Sequence, residues 1–358
     1  SDPYDFGNVT VTASQNHVFT ITNTGGVTAT TMSEVGIGAP FAFVGGTYPG
    51  TTGTCAATLS ASASCTINVE FSPVGTGLST DTISMSYFNG ASTQNSDRDI
   101  QGTGVAAANL TITESDPYSY GTVPSGSTND YTFTITNTGG STATGMAGAG
   151  LVAPFSFAGG SYPGGGTCGA TLVAGGNCTL IVRYAPVAVS ALDTDTIDIN
   201  YNDGVSAQTS SRDVEGTAVA PALLTISESN PYNFGTLATG ATATHAFTVT
   251  NGGGVQATAM TEIGLASPYR YFGGSYPGTG GDCAATLNPA AVCTIVVEYA
   301  PTVPSAADND TINFSYNNGV SPQNATRDVT GVAVTPANIT ITESDPYDFG
   351  SFFVCETS

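Results

Sequence analysis

One stretch of text recurs through this chain. It reads Ala108-Asn109-Leu110-Thr111-Ile112-Thr113-Glu114-Ser115-Asp116-Pro117-Tyr118-Ser119-Tyr120-Gly121, and returns from Leu224 to Gly235 and from Ile339 to Gly350. The chain opens inside a fourth copy, Ser1-Asp2-Pro3-Tyr4-Asp5-Phe6-Gly7, without the strand-like lead-in. Copies lie about 114 residues apart, a domain-sized period that governs every later reading. It divides the chain into repeats at 1–106, 107–220 and 221–336. Residues 337–358 are left as the orphan first strand of a further repeat plus a tail. Each repeat is long enough to bury its own core.

Within a repeat the same signals appear in the same order. Val18 to Thr22 alternates apolar and polar residues at period two and stops at Asn23-Thr24-Gly25-Gly26, with counterparts at Thr132–Gly140 and Ala246–Gly254. A Gly-Gly-[Thr/Ser]-Tyr-Pro-Gly loop follows at 45–50, 159–164 and 273–278, and reads as a fixed turn. Later come Asn89-Gly90, Asp203-Gly204 and Asn318-Gly319, each at the end of a strand-like run and each a hairpin signal. Roughly seven short strands per repeat, without helical periodicity, predict an all-β chain of three tandem immunoglobulin-like β-sandwiches. The joins carry no Gly/Ser-rich or Pro-rich run, so an elongated rod is expected.

The chain carries 27 Asp and Glu against 5 Arg and no Lys, a net charge of -22. Such a surface repels phosphates and anionic lipid, so nucleic acid and direct membrane insertion are excluded as partners. No apolar run reaches the length of a transmembrane helix. Cysteines come as one pair per repeat: Cys55 with Cys65, Cys168 with Cys178, and Cys283 with Cys293. Two Cys without a neighbouring His cannot complete a zinc site, so each pair is read as a local disulfide. Three such bonds imply an oxidising compartment. Cys355 is left over, to be free, intermolecular or part of a tail. Without Lys, the chain cannot form the Lys–Asn isopeptide bonds of many pilins.

Several residues together resemble a known family. Phe6-Gly7, Thr20 to Gly26, Pro40-Phe41, Cys55, Cys65-Thr66-Ile67, Phe71-Ser72-Pro73 and Gly102-Thr103-Gly104 follow the order of the hydin-type (ASH-like) Ig-like repeats. The pattern is most similar to bacterial choice-of-anchor D surface proteins, and it covers all three repeats. The resemblance implies an exported, surface-associated protein whose domains act as spacers or binding modules. These are structural residues, specific for the fold and poor guides to function.

The candidate sites are few. Acidic residues gather at the joins: Asp99, Glu114 and Asp116, then Asp213 and Glu228, then Asp328, Glu343 and Asp345. Calcium takes roughly six to eight oxygen ligands and could rigidify a join there. Alternatively Arg98, Arg212 and Arg327, at one register in an Arg-poor chain, pair with these carboxylates. No other cofactor is expected. His17 and His245 share the position of Tyr131 and read as rim packing, and Asp193 and Asp195 as strand-edge residues. No Ser-His-Asp set appears in every repeat, so no enzyme is expected. Tyr48, Tyr162 and Tyr276 are the aromatics a surface glycan would need. The first repeat lacks the lead-in strand that Ala337–Thr342 carries, so Asn338, Ile339 and Ile341 are candidates for strand exchange into the next chain, giving head-to-tail self-association. A window from a longer array explains the same text. The expected function is an extracellular structural protein at a bacterial surface, a spacer or fibre subunit; the alternative is an adhesin stalk binding a glycan or protein.

Overall fold

The computed structural model describes residues 2–351 and 354; the expectation for Cys355 lies outside them. By internal contacts the chain divides into two units, Ser1–Ala218 and Val219–Ser358. The first unit contains two of the three hydrophobic cores and the second contains one.

The first repeat comprises β1 (Tyr4–Thr10), β2 (Gln15–Thr22), β3 (Thr30–Glu34), β4 (Phe41–Phe43), β5 (Ser64–Phe71), β6 (Gly77–Phe88) and β7 (Thr93–Val105). The second comprises β8 (Leu110–Ile112), β9 (Tyr118–Pro124), β10 (Asn129–Asn137), β11 (Ala143–Ala149), β12 (Phe155–Phe157), β13 (Thr171–Leu172), β14 (Asn177–Tyr184), β15 (Ser190–Asn202) and β16 (Ala207–Val219). The third comprises β17 (Leu224–Ile226), β18 (Tyr232–Ala238), β19 (Ala243–Asn251), β20 (Thr258–Glu262), β21 (Tyr269–Tyr271), β22 (Val292–Tyr299), β23 (Ser305–Asn317) and β24 (Pro322–Val334). Each repeat is a two-sheet sandwich: β1-β7-β6-β3 on β2-β5-β4, β13-β11-β15-β16-β9 on β12-β14-β10-β8, and β18-β24-β23-β20 on β17-β19-β22-β21.

The period-two runs place one face in the core. In β10, Phe133 and Ile135 are fully buried while Thr132 is exposed, and β19 buries Phe247 and Val249 in the same way. The Asp-Pro-Tyr-x-Phe segment is itself a strand, paired parallel to the last strand of its repeat in β1–β7 and β18–β24. Its aromatics build a rim cluster: Tyr4 stacks on His17 at 3.9 Å, Tyr118 on Tyr131 at 4.0 Å and Tyr232 on His245 at 4.1 Å. The two histidines thus pack as aromatic plates, as read from the sequence. The Asn-Gly and Asp-Gly signals do close hairpins, but with four-residue loops (Phe88 pairs with Thr93, Asn202 with Ala207). The Asn89 side chain accepts the amides of Ala91 and Ser92, which stabilises the longer loop.

Glycine is required where the Tyr-Pro-Gly loop returns to its sheet. Gly164 has φ +73°, and a Cβ there would lie 2.1 Å from the Ile181 carbonyl oxygen. That contact holds because Ile181 donates its amide to Pro163, closing the loop onto β14. A Cβ at Gly50 or Gly278 would lie 2.3 Å from the carbonyl oxygen of Asn68 or Val296 respectively. Behind each loop a disulfide bonds Cys55 to Cys65, Cys168 to Cys178 and Cys283 to Cys293, each spanning 10 residues. All six cysteines are buried. Closing so short a loop restricts the unfolded chain by about 3 kcal/mol. Cys168→Ala/Cys178→Ala is therefore expected to lower the stability of the second repeat by about that amount, read as a shifted denaturant midpoint.

Within the first unit the two repeats touch directly. Thr10 Oγ1 lies 2.7 Å from Ser141 Oγ, and the Ser141 hydroxyl donates to the Ala106 carbonyl at 2.9 Å. The join is tied by hydrogen bonds as well as by the chain.

Candidate functional site

The feature that separates the first repeat from the other two is one edge of one sheet. In repeat 2 the short strand β8 lies along β10, with Ile112 opposite Ile135, Thr111 opposite Thr136 and Leu110 opposite Asn137. In repeat 3 β17 lies along β19 in the same register. In repeat 1 the corresponding β2 pairs with β5, and no strand among the described residues covers its other edge.

Repeats 2 and 3 show how that position is built. Asn137 is fully buried; its amide nitrogen donates to the Ser141 and Leu172 carbonyls, and its oxygen accepts the Asn109 amide at 3.1 Å. Asn251 does the same for Leu223. The Tyr201 hydroxyl accepts the Leu110 amide at 3.3 Å, and Tyr316 accepts that of Leu224 at 3.2 Å. At the other end Arg212 Nη2 donates to the Ile112 carbonyl, and Arg327 Nη2 to that of Ile226. The Ala108 amide donates to Asp203, and that of Ala222 to Asn318. Leu110, Ile112, Leu224 and Ile226 are all buried.

Every one of these receiving groups recurs in repeat 1. Asn23 donates to the Val27 and Leu59 carbonyls in the manner of Asn137. Tyr87, Arg98 and Asn89 stand at the positions of Tyr201, Arg212 and Asp203. Phe19 and Ile21 are only half-buried, where their counterparts are fully buried. Between β2 and the β6–β7 hairpin run two adjoining cavities of ≈ 300 and ≈ 420 Å³. The first is lined by Asn23, Tyr87 and Asn89 among others, the second by Phe19, Ile83 and Arg98; Ile21 and Met85 line both. The candidate strand-exchange residues are fully outside: Ile339 is 92% exposed and Ile341 85%.

Six of the eight carboxylates suggested for calcium have other partners. Asp99, Asp213 and Asp328 accept the hydroxyls of Thr82, Thr196 and Thr311. Glu114 accepts the Thr134 amide, Asp116 lies 3.2 Å from Arg212, and Glu228 lies 3.5 Å from His245. Glu343 and Asp345 are exposed. Among the described residues no group of three or more His, Cys, Asp or Glu is placed to hold a metal ion. Asp193 accepts the Tyr184 hydroxyl and Asp195 the amides of Val152 and Thr196. Tyr48, Tyr162 and Tyr276 are half-buried, with rings packed edge-on against Phe43, Phe157 and Tyr271. Burial pushes the Tyr276 hydroxyl up to about 12, with Glu262 adding to it. The loop tyrosines thus pack inward rather than forming a free-standing aromatic platform.

Sequence reading missed the buried asparagine and the arginine clamp on a backbone carbonyl. The signal was present, since Asn23, Asn137 and Asn251 each follow a period-two run, and the three arginines share one register.

Titration divides the repeats. Burial, then the charge of Arg98, holds His17 below the usual histidine range. The Arg183 hydrogen bond holds Asp130 below the carboxylate range, and the Ser206 amide does the same for Asp203. A group whose folded pKa is depressed binds fewer protons when folded, so its contribution holds above the unfolded value and is lost as pH falls through the folded one. Repeat 1 is expected to begin losing stability below about pH 6.5, and repeat 2 only below about pH 4. A His17→Phe variant should remove the earlier phase from a pH series of thermal melts.

No curated protein matches the chain. Among solved structures, an I-band fragment of titin aligns over 94% of this chain and 97% of its own, at 8% identity and a TM-score of 0.30. Mouse clustered PcdhgC3 (EC1-3) aligns over 75% and 83%, at 10% identity and a TM-score of 0.32. The Vibrio cholerae VesB protease aligns over 31% of this chain and 32% of its own, at 16% identity and a TM-score of 0.26. The family described as HYDIN/CFA65/VesB-like, Ig-like domain matches residues 1–103, the span of the first repeat.

Proposed function

We propose that the chain is a non-enzymatic extracellular structural protein, a spacer or head-to-tail fibre subunit at a bacterial surface. The supporting observation is the threefold recurrence of one sandwich, each with its own core and its own buried disulfide. The polar groups that looked chemical in the sequence are occupied holding strands and turns together. A net charge of -22 keeps such repeats apart from anionic surfaces. The disulfides suit a setting outside the reducing cytosol. An adhesin stalk is the second reading; it would rest on the backbone of the repeated loops, because their tyrosines pack inward.

Single-molecule stretching of the full chain tests the structural role. Repeats 2 and 3 should give matched force peaks, with a weaker one from repeat 1. Reduction should lengthen each release by about 35 Å, the reach of the 10-residue span that each disulfide closes. Repeats that extend without a resolved peak would overturn the reading.

A further inference from the structure

We infer that Tyr118 and Tyr131 of repeat 2 are a site of oxidative cross-linking, at which a haem peroxidase with hydrogen peroxide joins the two rings as dityrosine. The inference goes beyond the structural role above and does not rest on it.

The two rings lie face to face, with centroids 4.0 Å apart and planes 28° from parallel. β9, which carries Tyr118, is the edge strand of one sheet, and β10, which carries Tyr131, lies in the other. The pair therefore bridges the two layers of the sandwich. Burial, then the neighbouring Tyr131 and Glu114, push the Tyr118 hydroxyl above the usual phenol range. The two hydroxyls thus share one end of the stack, which sets the ortho carbons beside them against each other. Both residues are only half-buried, so an oxidant reaches the pair from solvent.

Packing does not require a second phenol here. Repeats 1 and 3 fill the same place with His17 and His245, stacked on Tyr4 and Tyr232 in the same way. Among the described residues one other tyrosine pair is stacked, Tyr269 with Tyr299 at 4.9 Å. Those two are 1% and 0% exposed, and both donate their hydroxyls to Asp308. Competing electron donors are few, since the chain has no Trp and all four Met are buried.

The step balances between the pair and its oxidant. Each phenol gives up one electron and its hydroxyl proton, leaving a neutral phenoxyl radical with part of its unpaired spin on the ortho carbons. Two such radicals pair into one carbon–carbon bond, and the hydrogens on the joined carbons move to the oxygens, restoring both phenols. Two tyrosines and one hydrogen peroxide thus give one dityrosine and two waters. The product ties β9 to β10 across the sandwich, whereas the Cys168–Cys178 disulfide closes a local span of 10 residues. Repeats 1 and 3 have no second phenol at this position and stay untied there.

The test is oxidation of the dilute full chain by a haem peroxidase and hydrogen peroxide. Cleavage after Asp130 places the two tyrosines in separate peptides. These should be recovered joined, two hydrogens lighter than their sum and with dityrosine fluorescence, from a chain that stays monomeric on a reducing denaturing gel. Tyr131→His, the ring that repeats 1 and 3 use, should cut the yield at least about 10-fold, because no second phenol is held against the first. Tyr131→Phe should do the same with the aromatic stack retained. Tyr347→Phe, which removes an exposed tyrosine elsewhere, should leave the yield unchanged. A bond mapped to other tyrosines, a product joined mainly between chains, or a yield that survives Tyr131→His would overturn the inference. So would peroxide consumed without dityrosine. Each of these results leaves the structural role standing, because stretching reads that role separately.

Discussion

Replacing Leu110 and Ile112 together with alanine is expected to remove roughly 5 kcal/mol or more from repeat 2, enough to unfold a marginal domain. Both side chains are buried, at 3% and 4% exposure, in the core that contains Phe133 and Ile135. A three-residue strand has little stability of its own, so its place in the sheet depends on those two side chains and on the bonds from Asn137, Tyr201 and Arg212. Truncation leaves a cavity above fully buried residues, and the loss exceeds the transfer of the missing methyl groups alone. The same pair of substitutions at Ile339 and Ile341 is expected to change the unfolding of the dilute chain by less than about 0.5 kcal/mol. Denaturant titration followed by hydrogen exchange assigns each loss to its repeat. Equal sensitivity at both places would mean that Ile339 and Ile341 already pack within their own chain.

Gly164→Val is expected to cost roughly 4 kcal/mol, from two sources that act together. At φ +73° the backbone is in the left-handed region, which a β-branched residue tolerates poorly. The first carbon of any side chain would also overlap the Ile181 carbonyl at 2.1 Å. Relief requires breaking the Ile181–Pro163 bond, which lifts the loop and exposes Tyr162. The neighbouring Gly165 also has positive φ but meets nothing within 4 Å, so Gly165→Ala should cost only about 1 kcal/mol. The two midpoints, measured side by side, separate backbone strain from collision.

What the sequence made legible follows from periodicity. The run Phe133-Thr134-Ile135-Thr136 announces which face is buried, and a repeat of Cys168 and Cys178 at one spacing announces a bond. Depth was less legible. Tyr162 in a glycine-rich loop reads as exposed, yet the positive-φ glycines fold that loop back until the ring meets Phe157. Asn137 reads as a turn residue at the end of a strand, because nothing in its neighbours tells that its side chain also ties down Asn109 and Leu172, each about 30 residues away. Arg212 reads as a carboxylate partner, and it is one to Asp116, but its other contact is the Ile112 carbonyl a hundred residues away. Such long-range backbone contacts have no local signature. The acidic residues at the joins were visible in number but not in use, since hydroxyls and amides nearby satisfy them one by one.

The most direct measurement is amide hydrogen exchange on the dilute full chain, read residue by residue along three equivalent edges. The Thr134 amide is bonded to Glu114 and that of Thr248 to Ser227, while those of Thr138 and Gly252 are bonded to Asn109 and Leu223. Thr20 and Thr24 occupy the same places on the open edge of repeat 1. Their amides should exchange about 100-fold faster than the counterparts in repeats 2 and 3. Equal protection in all three repeats would contradict the account of β8 and β17 as the strands that protect this edge in repeats 2 and 3.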